Sequence, residues 1–293
     1  MRTTTARTLT AVAGALALAA ISALVVQAVP VTLPPLTLGA KNVNVGWGGI
    51  EEVGQSPVQS IRASITLPDA SAYSVSHALD PMMKSAWWVG LGGDGTLVPA
   101  ENDWLPQTGY YLQPMSRVWW VVKPFAVMTY ESGNRAELPG WIDRFPFLVP
   151  AGAVLSARLS ERGGHLVAYL HVSFPPAYRS LAKYIRANMT YTLPVVRGEP
   201  RHYTLAEAIL ETPNNSPATP QMTALSPDYL WLPSFAHSAP ITVTVRYAQP
   251  SSVTVHLADL DGGARGSVQP VLDALSRSAL TVQATVGLDT FNP

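Results

Sequence analysis

Two glutamates on one predicted strand have the residue type and the spacing that point most directly to chemistry. Residues 203–211 alternate as a β-strand does, which places Glu207 and Glu211 on one face among apolar side chains. A glutamate has a usual pKa of about 4.3, so it can accept a proton from water in mild acid. At about 3.4 Å per residue the two carboxylates lie roughly 14 Å apart, too far to share a proton or to form the carboxyl pair of a glycosidase.

A series of short motifs resembles, in order, the glutamic peptidases known as eqolisins. Residues 44–49, Asn-Val-Gly-Trp-Gly-Gly, resemble the N-W-S-G opening of that family, and residues 85–94 resemble its S-A-W-V-G-I-D-G segment. Residues 105–109, Leu-Pro-Gln-Thr-Gly, resemble its L-Q-T-G strand, and residues 203–211 resemble its A-E-W-I-x-E strand. Each motif is weak by itself, and the ordered series carries the resemblance.

The resemblance implies an acid endopeptidase whose catalytic residues are Gln107 and Glu211. Glu211 would take a proton from the attacking water and return it to the leaving nitrogen, while Gln107 would donate its amide N–H to the oxyanion. The resemblance also implies that the strands carrying these residues are neighbours in one sheet. We expect Trp47, Trp87 and Glu207 to line the substrate-binding groove, and we expect neither a metal nor a cofactor.

The composition argues against several other functions. The chain has no cysteine, so disulfides, thiolate metal sites and cysteine nucleophiles are excluded. Charged residues make up only 13% of the chain and the net charge is zero, so nucleic acid is not an expected partner. The sequence contains neither a His-Glu-x-x-His metal motif nor a Gly-x-Ser-x-Gly nucleophile elbow. Polypeptide substrates remain as the expected partners; the oligomeric state cannot be read from the sequence.

Short apolar runs between 26 prolines and 21 glycines predict an all-β fold. We expect a β-sandwich of two antiparallel sheets, of the jelly-roll or concanavalin type. Helical spacing over residues 268–278, between two strand-like runs, predicts a small strand-helix-strand extension at the C terminus. The predicted strands are residues 43–47, 58–67, 85–91, 106–112, 117–122, 126–130, 154–160, 166–174, 187–193, 203–211, 241–247 and 253–257.

The first residues have the pattern of a secretory signal. Arg2 and Arg7 precede an apolar run over residues 9–26, and a small-x-Ala cleavage site ends at Ala28. We therefore expect a signal peptide over residues 1–28 and a secreted protein without stable membrane association. An uncleaved run would instead serve as an N-terminal membrane anchor. The remaining chain is divided into a linker or short pro-segment (29–42), a catalytic domain (43–250) and an extension of unknown role (251–293).

Two other functions stay open at this stage. One is a non-catalytic extracellular β-sandwich that binds peptide or glycan along the same groove. The other is a lectin-like glycoside hydrolase, because such sandwiches share the same strand pattern. A glycosidase would require a second carboxylate across the groove from the first.

Overall fold

The computed structural model describes thirteen segments of the chain. These are residues 36–38, 42–43, 47–69, 85–93, 97–101, 104–130, 135–137, 146–195, 197–211, 241–249, 252–259, 264–271 and 279–288. The chain divides into the units Met1–Leu33 and Pro34–Pro293. The predicted signal peptide lies outside the described residues. Within the described segments, no helix is both long enough and apolar enough to cross a membrane.

Alternating side chains build the strands of the second unit. In residues 58–66, for example, Ile61, Ala63 and Ile65 are buried while Arg62 between them is exposed. Two 3₁₀ helices, Pro99–Glu101 and Pro176–Tyr184, lie on connections. The described strands are β1 (Leu36–Leu38), β2 (Asn42–Val43), β3 (Trp47–Gly54), β4 (Val58–Thr66), β5 (Ser85–Leu91), β6 (Trp104–Ser116), β7 (Trp119–Tyr130), β8 (Arg135–Glu137), β9 (Phe147–Pro150), β10 (Val154–Arg162), β11 (His165–Ser173), β12 (Asn188–Thr192), β13 (Leu205–Glu211), β14 (Ile241–Tyr247), β15 (Val253–Asp259), β16 (Ala264–Val271) and β17 (Ala279–Leu288).

The strands form two sheets, and the predicted β-sandwich of antiparallel sheets is confirmed. A ten-stranded sheet has the order β1-β15-β3-β13-β5-β6-β7-β8, with β2 beside β15 and β9 beside β7. A seven-stranded sheet has the order β12-β11-β10-β4-β14-β17-β16. All described pairings are antiparallel except those of β15 with β1 and β2. The central strands β3, β13, β5 and β6 of the larger sheet are those that concern the candidate site.

A shared apolar core joins the inner faces of the two sheets. Trp87, Tyr110 and Trp120 of the ten-stranded sheet belong to the same buried cluster as Ile61 and Leu159 of the seven-stranded sheet. All five side chains are fully buried. Burying an isoleucine or leucine side chain, such as those of Ile61 and Leu159, stabilises a fold by about 1.5–3 kcal/mol. The chain has no disulfide, so this packing carries the stability of the sandwich.

The C-terminal residues differ from the predicted extension. The strand β15 pairs with β3 in the larger sheet, and β17 pairs with β14 in the smaller one. The predicted helix over 268–278 is wrong in its first turn, because residues 268–271 belong to β16; residues 272–278 lie outside the described segments. The strands β15, β16 and β17 therefore belong to the two sheets of the sandwich and do not form a separate extension. The predicted linker likewise includes β1, which pairs with β15.

Candidate active site

A row of polar residues crosses the ten-stranded sheet at one level. Glu207 on β13 is the partner of Glu51 on β3 and of Gly90 on β5. Gly90 is in turn the partner of Gln107 on β6, and Glu51 is the partner of His256 on β15. The row therefore reads His256, Glu51, Glu207, Gly90, Gln107.

The row lies on the face turned away from the seven-stranded sheet, which we call the outer face. On β13 the inner core contains Ala206, Ala208 and Leu210, so strand alternation directs Glu207 to the outer side. A second apolar cluster covers this side around the row, and Glu207 itself has an exposed fraction of 0%. The cluster consists of Ala86, Trp88, Leu105, Phe125, Val127 and Ile209.

Gly90 separates the two functional groups in the sheet, and neighbouring apolar side chains fill the space above it. A Cβ atom there would come within 2.7 Å of the Trp88 ring and 2.9 Å of a Leu105 methyl group. Those two apolar side chains border the position from the same face. With strands spaced by about 4.8 Å, the Cα atoms of Glu207 and Gln107 are about 9.6 Å apart. The Trp88 ring and the Leu105 methyl group therefore occupy the space above Gly90, between the carboxyl group of Glu207 and the amide of Gln107.

The amide of Gln107 is oriented by the next strand. Its Nε2 donates a hydrogen bond of 3.3 Å to Thr129 Oγ1 on β7. An amide nitrogen carries two N–H donors, so one of them is not used by Thr129. The Oε1 atom is buried and accepts no hydrogen bond from any residue that the structure describes. If the amide turned over, the Thr129 hydroxyl could donate to Oε1 and both N–H donors would be released.

A buried carboxylate holds the beginning of β13 in place. Both oxygens of Glu101 accept hydrogen bonds: Oε1 from the Thr204 N–H at 2.7 Å and hydroxyl at 2.8 Å, and Oε2 from the Leu205 N–H at 3.1 Å. Two glycines with positive φ after β5, Gly92 at 68° and Gly93 at 93°, turn the chain back toward this contact. The anchor lies two residues before Glu207, so it fixes the level at which that carboxyl enters the row.

The inner face carries a second buried carboxyl group. The Tyr247 hydroxyl on β14 donates a hydrogen bond of 3.4 Å to Glu52 Oε2. Burial raises the pKa of Glu52 well above its usual value, and the hydrogen bond from Tyr247 only partly opposes that shift. Burial thus favours the protonated form of Glu52, which lies between the two sheets on the side opposite the row.

A cavity of about 310 Å³ lies elsewhere in the fold. Its lining includes Leu166, Leu193, Glu161, His202 and Tyr203. The His202 Nδ1 atom is 3.6 Å from Glu161 Oε2. None of the residues of the row lines it, so it is separate from the candidate active site.

The register does not bring the predicted pair Gln107 and Glu211 together. The expectation that their strands are neighbours is wrong, because β5 lies between β6 and β13. Glu211 is the partner of Ala86 and Trp47, four residues along β13 from the level of Gln107. By sheet spacing the two Cα atoms are roughly 17 Å apart. The carboxyl group that shares the level of Gln107 is that of Glu207.

The two tryptophans predicted to line the groove, Trp47 and Trp87, lie away from the row of polar residues. Trp87 lies on the inner face, where it is fully buried and stacks on Tyr110 at 6.2 Å, so its expected contact with substrate is corrected. Trp88, the next residue, is the tryptophan of the outer face. Trp47 is the partner of Glu211 rather than of a residue in the row.

Sequence reasoning missed Glu51 and His256 as members of the site. Glu51 and Glu52 are consecutive acids on a strand, so alternation alone shows that one of them faces each side of the sheet. His256 falls in the segment predicted as an appended extension, and nothing local in that segment indicates that it pairs beside β3. Among the described residues, no group of three or more histidine, aspartate or glutamate side chains could hold a metal ion.

Comparison of the chain with models of protein families and with curated proteins found no match in either case. The resemblance to the glutamic peptidases therefore stays a prediction, carried by the quoted motifs alone.

Proposed function

We propose that this protein is an endopeptidase of the glutamic type, in which Glu207 is the general base and Gln107 stabilises the oxyanion. One observation supports the pair above all others: Glu207 and Gln107 share one level of the outer face, separated only by Gly90. The motif resemblance supplies the reaction class, and the register replaces Glu211 by Glu207 within it.

The proposed reaction takes place on the outer face over Gly90, once the Trp88 ring and the Leu105 methyl group have moved aside. A water molecule attacks the scissile carbonyl carbon while Glu207 accepts a proton from that water. The developing oxyanion accepts a hydrogen bond from the N–H of Gln107 that Thr129 does not use, a contribution of about 2.7–4 kcal/mol in comparable sites. Trp88 and Leu105 keep the surroundings apolar, which strengthens both interactions.

The chemistry of the pair suits acid conditions. A glutamine amide stays neutral at every accessible pH, so its donor persists where a histidine would be protonated. The proposed reaction uses polypeptide substrates and requires neither metal nor cofactor. We further propose that residues 1–28 direct the protein out of the cytoplasm, so that it acts as a secreted enzyme.

Access to the site requires a movement. Glu207 has no exposed surface, so a polypeptide reaches it only after the outer face is uncovered. The proposal therefore includes an open state of this face, which should increase in the presence of substrate. Hydrogen exchange at the amides of β13 and β5, with and without a peptide substrate, would detect it.

The test compares two glutamates of the same strand. Cleavage of a denatured protein would be followed from about pH 2 to pH 7, with a chelator present, for the wild type, Glu207→Gln and Glu211→Gln. The two substitutions have identical chemistry and lie on the same side of β13. We expect Glu207→Gln to lower kcat/KM by about 10²–10⁴-fold and Glu211→Gln to leave it within a few-fold of the wild type.

Two outcomes would contradict the assignment. If Glu211→Gln abolished cleavage while Glu207→Gln did not, the register would not describe the active site. If the folded wild-type protein cleaved nothing over the whole pH range, the proposed activity would be wrong. The far-ultraviolet circular dichroism of each variant would show that it is folded.

Two observations favour other functions strongly enough to include them in the test. Glu51 lies directly across from Glu207, with an expected Cβ separation of about 4.5–5.5 Å, and retaining glycosidases place their two carboxyl groups about 5–5.5 Å apart. Polysaccharides should therefore be assayed with the same variants. The closed outer face favours a non-catalytic binding protein, which binding without cleavage would support.

A further inference from the structure

The residue opposite Glu207 has the same charge type and the same burial. Glu51 and Glu207 are direct partners in the antiparallel pair of β3 and β13, and both have an exposed fraction of 0%. Direct partners in such a pair point to the same face, with Cβ atoms about 4.5–5.5 Å apart. Because Glu52 points to the inner core, alternation directs Glu51 to the outer face beside Glu207.

The positions next to this pair along its own two strands, on the same face, carry apolar side chains or none. Val53 and Leu205 pair on one side of it along the strands, and Gly49 and Ile209 pair on the other. Across the sheet, Gly90 of β5 contributes no side chain. His256 of β15, a half-buried side chain beside Glu51, is the one titratable residue at this level of the adjacent strand.

Two buried carboxyl groups at this distance are not both ionised at once at low cost. Each negative charge opposes the ionisation of the other, and the absence of solvent strengthens that opposition. The stable arrangement of such a pair holds one proton between two oxygens, and the pair then titrates as a unit in two steps. A second observation marks the same face as a reaction site: Gln107 Oε1 is buried and receives no hydrogen bond from the described residues.

We propose that Glu51 and Glu207 form a proton-sharing carboxyl pair in which Glu51 is the general acid of the reaction. This inference rests on the proposed function, and it adds a residue that the motif resemblance does not include. Glu207 is the ionised member before the reaction, and Glu51 carries the proton.

The proton balance of the reaction closes within this pair. Water forms a C–O bond to the scissile carbonyl carbon and gives one proton to Glu207. The C–N bond then breaks, and the leaving nitrogen takes the proton of Glu51, so that an amine and a carboxylic acid are released. Glu51 is now the carboxylate and Glu207 the acid. Transfer of the proton from Glu207 to Glu51 restores the starting state.

The experiment uses two readouts, of which one does not require peptidase activity. The first is the pH profile of kcat/KM for the full-length wild type, Glu51→Gln, Glu51→Asp and Glu52→Gln. The second is a titration of side-chain carboxyl groups by ¹³C NMR in the wild type, Glu51→Gln and Glu207→Gln. Glu52→Gln is the matched control, because Glu52 is the next residue, equally buried, and points to the inner face.

We expect Glu51→Gln to lower kcat/KM by about 10²–10³-fold and to remove the alkaline limb of the profile, because no acid is then available to the leaving nitrogen. Glu51→Asp should restore part of the activity together with that limb, whereas Glu52→Gln should leave the profile unchanged. In the NMR titration the wild type should show two coupled carboxyl steps. Each of Glu51→Gln and Glu207→Gln should show a single step with a shifted midpoint.

The three possible negative results contradict different parts of the proposal. An active enzyme whose profile is unchanged in Glu51→Gln would overturn the role of Glu51 and leave the proposed function intact. Carboxyl groups that titrate identically with and without their partner would overturn the pair itself. Coupled titration in a protein without peptidase activity would support the proton-sharing pair. It would overturn both the proposed function and the role of Glu51 as the general acid of that reaction.

Discussion

Glu51 and Glu52 are neighbours in the chain and equally buried, yet they belong to different regions of the molecule. Glu52 enters the core between the sheets and meets the hydroxyl group of Tyr247. Glu51 enters the outer face and lies opposite another carboxyl group. Burial alone therefore does not distinguish a structural acid from a reactive one. The group that each acid meets does: Glu52 meets a tyrosine hydroxyl of the other sheet, whereas Glu51 faces a second acid with which it can exchange a proton.

The inner region is built to keep its acid neutral. Burial raises the pKa of Tyr247 well above its usual value, and the negative charge of Glu52 raises it further. Burial likewise raises the pKa of Glu52. The hydrogen bond from Tyr247 favours the carboxylate form of Glu52 and so partly opposes the effect of burial on that pKa. No residue of the outer row takes part in this contact.

The largest expected effect is on activity, from a substitution in the outer row that leaves the inner core unchanged. Gln107→Leu removes the proposed oxyanion donor and keeps the side chain at similar size, so we expect kcat/KM to fall by about 10²–10³-fold. Gln113→Leu is the matched control, since it lies on the same face of β6, about 20 Å along the strand. Equal activity of the two variants in the cleavage assay would remove Gln107 from the mechanism.

An intermediate effect is expected on stability, from a substitution beside the contact between Tyr247 and Glu52. Gly54→Ala places a Cβ atom 2.3 Å from Tyr247 Cε1, which displaces the ring that donates to Glu52. We expect the free energy of unfolding in urea to fall by about 1–3 kcal/mol, as for other overpacked cores. The kcat of the folded fraction should stay unchanged. A large loss of kcat would show that the two faces are coupled.

The smallest effect sharpens the comparison through pH. Because the folded pKa of Glu52 is raised, its stabilising contribution is complete below the unfolded pKa and is lost as the pH rises through the folded pKa. Above about pH 4.3, stability should therefore fall by about 1.4 kcal/mol per pH unit until the folded pKa is reached.

The substitution Glu52→Gln keeps an acceptor for Tyr247 and removes this proton. We expect the variant to lose the corresponding slope and to gain stability relative to the wild type at neutral pH. Denaturant unfolding between pH 4 and pH 8 measures both curves. Parallel curves for the two proteins would mean that Glu52 is ionised in the fold.

Local alternation was sufficient to predict most strands. The bounds of β5 and β14 agree with the predicted residues 85–91 and 241–247. The prediction for β3 was displaced, because Glu51 and Glu52 make its second half look like a polar connection. The spacing of Val268 and Val271 misled the prediction of β16, because residues three apart share one face of a helix but lie on opposite faces of a strand.

The candidate site was predictable only in part. The motifs identified the strands of Gln107 and of the two glutamates, because residue order is preserved in a motif. They did not give the level at which those strands pair, which depends on contacts between distant segments. Because β5 lies between β6 and β13, Gln107 is aligned through Gly90 with Glu207 and not with Glu211. Register shifts of this kind leave no trace in the composition of a single strand.

The position of β15 has a consequence for the timing of folding. This strand is made long after β3, with which it pairs, because β4 to β14 lie between the two in the chain. Pairing between such distant segments folds slowly, because a long loop must close first. His256 can join Glu51 only after all of these strands have been synthesised. A chain that stops before β15 would therefore lack the complete row, together with any activity that depends on it.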